Sequence, residues 1–330
     1  MKALVTGGGG FLGGAIVRHL VARGDSVQSL ARGTYSWQKA IGVEAVVGDL
    51  ADPGVVARAA EGCDVVFHVA AKAGTWGPVA EYQRANVEGT RNVVAACRSQ
   101  GVGRLVYTSS PSVVFNGQDM ENIDESAPYP THHDAAYPAT KAEAERLALA
   151  ANDADLAVVA LRPHLIWGPG DNHLVPRILA RARGRRLRRI GSLPKLVDST
   201  YIDNAADAHV QAADRLSVGG PVAGKAYFIS NGEPRPVWDL VNMILNAAGL
   251  PPVGRAVPAW AALAAGTACE AVYRALGAAN EPPMTRFLAR ELATAHWFNL
   301  AAARRDLDYR PRVSLEEGMR RLATWLRAGP

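Results

Sequence analysis

Short apolar runs punctuate the first half of the chain at residues 2–6, 26–30, 43–47, 64–69, 104–108 and 157–162. They lack the polar alternation of a half-exposed strand, and so read as strands covered on both faces. Between them lie segments of helical spacing at 11–23, 55–60, 79–99 and 135–152. This alternation predicts an α/β fold, a doubly wound parallel sheet with helices on both faces. Right-handed crossovers bring the strand ends to one edge, where such sheets bind ligands. A further run at 225–230 predicts a strand returning to the sheet. The expected organisation is a unit of residues 1–165 joined by 201–230, with a smaller, discontinuous C-terminal unit of 166–200 and 231–330.

The second half is patterned more weakly. Residues 258–279 are apolar and alanine-rich, interrupted by Glu270 and Arg274. They are too short and too charged to span a bilayer, and read as a core helix or as the cover of an apolar pocket. Trp260, Leu263, Val272 and Tyr273 are expected on its apolar face. Tyr201-Ile202-Asp203-Asn204 reads as a strand end leading into a helix through His209, capped by Asp203 or Asn204. Ser314-Leu-Glu-Glu317 has the spacing of a capping box opening a terminal amphipathic helix.

Composition narrows the classes. With 330 residues and 48% apolar content, a sizeable core can form. The net charge of +5 is modest, and no aromatic interleaving accompanies the arginine run from Arg181 to Arg189, so nucleic acid is not an expected partner. That run reads as a solvated face, a guide for an anionic substrate, or a dock for an acidic partner or membrane surface. Cys63, Cys97 and Cys269 share no C-x-x-C spacing, which points to a reducing compartment. No metal is expected, because His132 and His133 lack companions at ligand spacing. The start of the chain lacks the pattern of a signal peptide, so a cytoplasmic location is expected.

The candidate chemistry begins at KALVTGGGGFLG, residues 2–13. Gly8, Gly10 and Gly13 fit G-x-G-x-x-G, while Thr6 and Gly7 open T-G-x-x-G-x-x-G. Between a strand and a helix, these glycines permit a tight turn and close approach of a pyrophosphate to the helix N-terminus. Gly7, Gly10, Phe11, Leu12 and Gly13 are therefore the expected dinucleotide contacts of a Rossmann unit. About 20 residues further on, where an NAD site places a carboxylate, stands Ser29-Leu30-Ala31-Arg32. With no acid there and Arg32 able to pair with a 2′-phosphate, NADP(H) is favoured. Asp49-Leu50 and Ala70-Ala71-Lys72 are expected to border the adenine and the centre of the cofactor.

Thr108-Ser109-Ser110 closes the fifth run, and Tyr137-Pro-Ala-Thr-Lys141 opens a long helix. Tyrosine and lysine four apart share one helical face. An ammonium beside a phenol favours the phenolate, so the Tyr137 pKa is expected to fall from about 10. Such a phenol can exchange a proton with a carbonyl or alcohol oxygen while hydride moves at the adjacent carbon. Downstream, Leu165-Ile166-Trp167-Gly168-Pro169-Gly170 reads as a loop passing the nicotinamide. His164 there is either hydrogen-bonded in the loop or in contact with a ligand.

On TGGGGFLG, Asp49-Leu50, Asn86, Ser110–Tyr137–Lys141 and RPHLIWGPGD, the chain resembles an extended short-chain dehydrogenase/reductase over essentially its whole length. The resemblance implies that Ser110 polarises the substrate oxygen and Tyr137 is the acid/base. Lys141 would bind the nicotinamide ribose, Asn86 would support the lysine, and Pro163 would border the cofactor. Ser109 is the competitor of Ser110. HVAAKAGTWG, YTSSPSV, AAYPATKA, LRPHLIWGPGDNHLVPR, LVDSTYIDNAADAH, GKAYFISNGEP, TRFL and HWF resemble the 3β-hydroxysteroid dehydrogenase-like branch. More closely, they resemble its 2-alkyl-3-oxoalkanoate reductase group, of bacterial long-chain olefin biosynthesis. That implies NADPH-dependent reduction of a hydrophobic 2-alkyl-3-oxo acid, with Trp76, Ser110, His164, Ile166, His173 and Tyr201 toward the substrate. The expected partners are a downstream β-lactone synthetase with related pathway enzymes, a second copy in a homodimer, and a peripheral membrane contact. The alternatives are a 3β-hydroxysteroid or sterol-carboxylate dehydrogenase and a non-catalytic NADP-binding redox sensor.

Overall fold

A computed structural model describes residues 1–278 and 280–329. Seven parallel strands form the central sheet, in the spatial order Lys225–Ile229, Ala157–Pro163, Arg104–Thr108, Val65–His68, Lys2–Thr6, Ser26–Ala31 and Glu44–Val47. The order reverses between Lys2–Thr6 and Val65–His68, which opens a crevice at their C-terminal ends. Side chains alternate between two cores. Leu4, Val66, Leu105 and Val158 point to one face, while Val5, Phe67, Val106 and Val159 point to the other. Burial on both faces is why these four strands read as unbroken apolar runs; the edge strand Glu44–Val47 departs from that expectation and is largely exposed.

Three expectations for the elements change. The helix expected at 79–99 contains a π-helical segment, Gln83–Glu88, between Val79–Tyr82 and Gly89–Gln100. The Ile202–Arg215 helix has Tyr201 at its N-cap and no side-chain cap. Neither Asp203 nor Asn204 serves as one. Asn204 is fully buried and instead ties the helix to distant backbone, accepting from the Arg312 and Val313 N–H groups and donating to the Val313 carbonyl.

The third change concerns 258–279, whose last residue, Ala279, lies outside the described residues. The helix there, Ala259–Ala275, turns Ala262, Gly266 and Glu270 inward. Trp260 is 74% exposed and Val272 53% exposed, so they do not form the buried face. Close approach explains the choice of small residues. A Cβ on Gly266 would lie 2.8 Å from the Thr285 carbonyl oxygen. Glu270, expected to interrupt the helix, anchors it by accepting from the Arg286 N–H at 2.7 Å and its Nε at 2.9 Å.

A second sheet carries the other wall of the crevice. It joins Arg235–Pro236, Leu196–Val197, His296–Phe298 and Met120–Ile123. Ser314 accepts from the Glu317 N–H and opens the Leu315–Ala328 helix, as its spacing predicts. Among the described residues, no helix is long and apolar enough to cross a membrane.

Candidate active site

The crevice is a cleft of about 1080 Å³ lined from both halves of the molecule. The glycine turn forms one end. Gly7 has φ +70°, a left-handed conformation that favours glycine, and its N–H donates to the Leu30 carbonyl. A Cβ on Gly13 would lie 2.2 Å from the Gly7 oxygen, so only glycine lets the Phe11–Ala22 helix pack this close to the turn. That helix has no side-chain cap, and Gly7, Gly10, Phe11, Leu12 and Gly13 all border the cleft. Free N–H groups at the start of this helix suit the phosphates of a dinucleotide. Arg32, exposed at the end of Ser26–Ala31, also lines the cleft. The nearby carboxylate of Asp49 is turned to Arg84 at 3.1 Å and to the Ala51 N–H.

Leu50, Ala70, Ala71 and Lys72 border the middle of the cleft. A buried chain of hydrogen bonds joins this region to the helix carrying Tyr137. The Thr6 hydroxyl accepts from the Val69 and Ala70 N–H groups, so its own proton goes to His68 Nδ1 at 2.9 Å. His68 Nε2–H then donates to Thr90, which donates to the Asn86 carbonyl. The Asn86 amide donates to Thr140 Oγ1 at 3.0 Å and to the Lys72 carbonyl, and its oxygen accepts from the Lys72 N–H. Burial holds the His68 pKa down at about 3, so the chain is neutral throughout. Asn86 sits in the π-helical segment and acts as a brace between the Lys72 loop and the Ala136–Ala150 helix.

Ser110, Tyr137 and Lys141 all reach the cleft. Ser110 caps a short 3-10 turn at Pro111–Val114, and its hydroxyl lies within reach of the Tyr137 phenol. Ser109 also borders the cleft, but it is buried and its hydroxyl has no hydrogen-bond partner among the described residues. The phenol departs from expectation: burial pushes the Tyr137 pKa up to about 12, while the Ser110 hydroxyl only pulls it back and the carboxyl of Glu291 raises it further. Lys141 does not reverse this. Its ammonium donates to the Thr108 carbonyl and lies 4.3 Å from the Tyr107 ring centroid, and burial lowers its own pKa to about 7 against the pull of Glu145. Glu145 in turn holds Arg162 through two hydrogen bonds, at 2.6 and 3.0 Å, both side chains being buried.

The far end of the cleft is lined by Pro163, His164, Ile166, Asp171, His173 and Arg177 from one side, and by Phe287, Glu291 and His296 from the other. His164 Nδ1 donates to the Asp198 carbonyl at 2.7 Å, which leaves Nε2 as an acceptor, and burial lowers its pKa to about 4. Thr294 spends its proton on the Arg290 carbonyl and therefore accepts from His296 Nε2–H. Tyr201 is not brought to the cleft: it is buried against Trp167, ring centroids 5.4 Å apart. Trp76 stands outside the lining, its indole N–H donating to the Ala278 carbonyl. Asp171, Arg177, Phe287, Glu291 and His296 are the residues at this end that sequence reasoning missed. The TRFL and HWF segments on either side of Glu291 were the available signal.

Comparison with known proteins agrees with this architecture. Residues 4–258 match the 3-beta hydroxysteroid dehydrogenase/isomerase family. The chain is 54% identical to the 2-alkyl-3-oxoalkanoate reductase of Stenotrophomonas maltophilia (strain K279a), covering 98% of each chain. It is 51% identical to that of Shewanella oneidensis, over 97% of this chain and 85% of the other. Among solved structures, MoeE5 in complex with UDP-glucose and NAD matches with a TM-score of 0.77 and 25% identity, over 99% of each chain.

Proposed function

The chain belongs to the 3-beta hydroxysteroid dehydrogenase/isomerase family and is an oxidoreductase acting on a CH–OH/C=O pair; from that premise, we propose that it reduces a hydrophobic 2-alkyl-3-oxo acid to the 2-alkyl-3-hydroxy acid with NADPH. A bound NADPH supplies the hydride. The glycine turn and the uncapped helix would hold its phosphates, and Arg32, with the nearby Asp49 carboxylate turned to Arg84, would take the 2′-phosphate. Ser110 and Tyr137 bind the ketone oxygen. A phenol held near pKa 12 stays protonated at neutral pH, which suits a group that must donate to an oxygen gaining negative charge. Lys141 orients the ribose. The neutral imidazoles of His164 and His296 and the ring of Phe287 give the substrate end an uncharged floor.

The observation that carries this reading is the convergence of Ser110, Tyr137 and Lys141 on one cleft with the glycine turn. A sterol-carboxylate or 3β-hydroxysteroid substrate is the second reading, supported by the family match and by the same uncharged floor. Incubation with NADPH and a 2-alkyl-3-oxo acid, and separately with NAD(P) and a 3β-hydroxysteroid, decides between them. The proposal requires turnover of the first and is refuted by turnover of the second alone. A redox sensor without catalysis would have no use for the Ser–Tyr–Lys set.

The product belongs upstream of an enzyme closing a β-lactone, the natural partner in long-chain olefin formation. Exposed Val272 and Leu276, one turn apart, offer apolar contact to that partner or to a lipid surface.

A further inference from the structure

Every charged side chain at the substrate end of the cleft is engaged except one. Asp171 accepts from the His173, Leu174 and Val175 N–H groups. Arg177 holds Glu281 at 3.0 Å. Lys141 is turned to the Thr108 carbonyl, and Arg290, next to Glu291 in sequence, holds Asp134. Glu291, on the Arg286–Ala293 helix, lies in the cleft with Arg177 as its nearest electrostatic influence and no hydrogen bond among the described residues. It is near enough to Tyr137 for a charge on it to disfavour the phenolate. Part-buried and facing the cleft beside the acid of the reaction, this carboxyl has its hydrogen-bonding capacity turned to whatever occupies the cleft.

The proposed substrate has the complementary feature. Its carboxylate sits on the carbon next to the reacting ketone, so a ketone held by Tyr137 brings that carboxylate into the same part of the cleft. We infer that Glu291 is a specificity residue that donates a hydrogen bond to the substrate carboxylate, with Arg177 supplying positive charge from the opposite wall. The inference rests on the 2-alkyl-3-oxo acid reading and deepens it. Burial raises the Glu291 pKa to about 7, against the opposing influence of Arg177, so below neutrality the group is an acid with a proton to offer. The other groups facing this end do not alter that sign: His164 and His296 are neutral, Tyr137 is protonated, and Asp171 is committed to its helix. His173 starts the Leu174–Arg183 helix at the rim.

The test compares kcat and KM for a 2-alkyl-3-oxo acid and for its methyl ester, which keeps the ketone but not the charge. Wild type, Glu291→Gln and Glu291→Leu are each assayed from pH 6 to pH 8.5. Loss of a charge-assisted hydrogen bond predicts that at pH 6 Glu291→Leu raises KM for the acid roughly 10- to 100-fold and raises that for the ester, which offers only a neutral acceptor, several-fold less. Glu291→Gln keeps a donor, so it should hold a low KM across the range, whereas wild-type KM climbs above about pH 7 as Glu291 ionises. Equal losses on acid and ester, or the same pH profile for wild type and Glu291→Gln, would overturn the inference. If wild type reduces neither compound, the functional reading itself has failed. Calorimetric binding of the non-reducible 2-alkylalkanoate then still reads the carboxylate contact: the inference requires Glu291→Leu to weaken it, and unchanged binding overturns it.

Discussion

Replacing Glu145 by glutamine tests how the catalytic helix is held. Glu145 is 0% exposed and Arg162 3% exposed, and they meet through hydrogen bonds of 2.6 and 3.0 Å, with the Tyr129 hydroxyl donating to the same carboxylate. Arg162 stands on the Ala157–Pro163 strand, so the pair fastens the Tyr137–Lys141 helix to the sheet. Glutamine keeps the shape and removes the charge, leaving a buried guanidinium without its counter-ion. Breaking such a pair costs about 3–5 kcal/mol. At roughly 2 °C per kcal/mol for a chain of this size, the midpoint of thermal unfolding should fall by about 6–10 °C.

A second effect follows, because Glu145 is the influence that raises the Lys141 pKa against burial. Lys141 titrates near 7 in the folded protein and near 10.4 in the unfolded chain. Between those values the unfolded chain holds a proton that the folded protein has released, so stability rises with pH. In Glu145→Gln the folded value drops further and that rise should begin at lower pH. Differential scanning calorimetry at several pH values reads both effects. The double variant Glu145→Leu with Arg162→Met should recover much of the loss, because a well-packed apolar pair can replace a buried ion pair. A single variant within about 1 kcal/mol of wild type, or a double variant no better than the single, would refute this reasoning.

Further outcomes follow from the same geometry. Gly13→Ala should fold, as read by circular dichroism, yet bind dinucleotide at least ~10-fold more weakly, since the new methyl meets the Gly7 oxygen at 2.2 Å and displaces the turn. Arg32→Glu should raise the apparent KM for NADPH by about tenfold or more and spare NADH, because a carboxylate there repels the 2′-phosphate and accepts from a 2′-hydroxyl. Oxidation of the 2-alkyl-3-hydroxy acid with NADP requires the phenolate. With Tyr137 held near 12, its kcat at saturating hydroxy acid should climb roughly tenfold per pH unit between pH 7 and 10; a flat profile would contradict that.

The central sheet is legible in sequence because parallel strands buried on both faces cannot hide their apolar runs, as Val65–His68 and Ala157–Pro163 illustrate. The glycine turn is legible for a similar reason, since Gly7 and Gly13 answer to backbone geometry alone. Size misleads in the Ala259–Ala275 helix, where close approach of the Thr285 backbone selects Gly266 while Ala262 is buried and Trp260 faces outward. The Tyr137–Lys141 spacing reveals the pair but not its depth, and depth decides the direction of the phenol's pKa. Glu291 stays hidden because its neighbours Tyr137 and Arg177 lie far from it in sequence, on separate helices. Strands of two residues, such as Leu196–Val197, are too short to carry a period of their own.

The most direct measurement is a single turnover of a 2-alkyl-3-oxo acid, followed by loss of NADPH absorbance in wild type and in Tyr137→Phe, with NADPH affinity determined separately for each. The proton-donor role predicts stoichiometric NADPH oxidation by wild type. It also predicts a rate roughly 10²- to 10⁴-fold lower in Tyr137→Phe at unchanged NADPH affinity. Equal rates in the two proteins would contradict it.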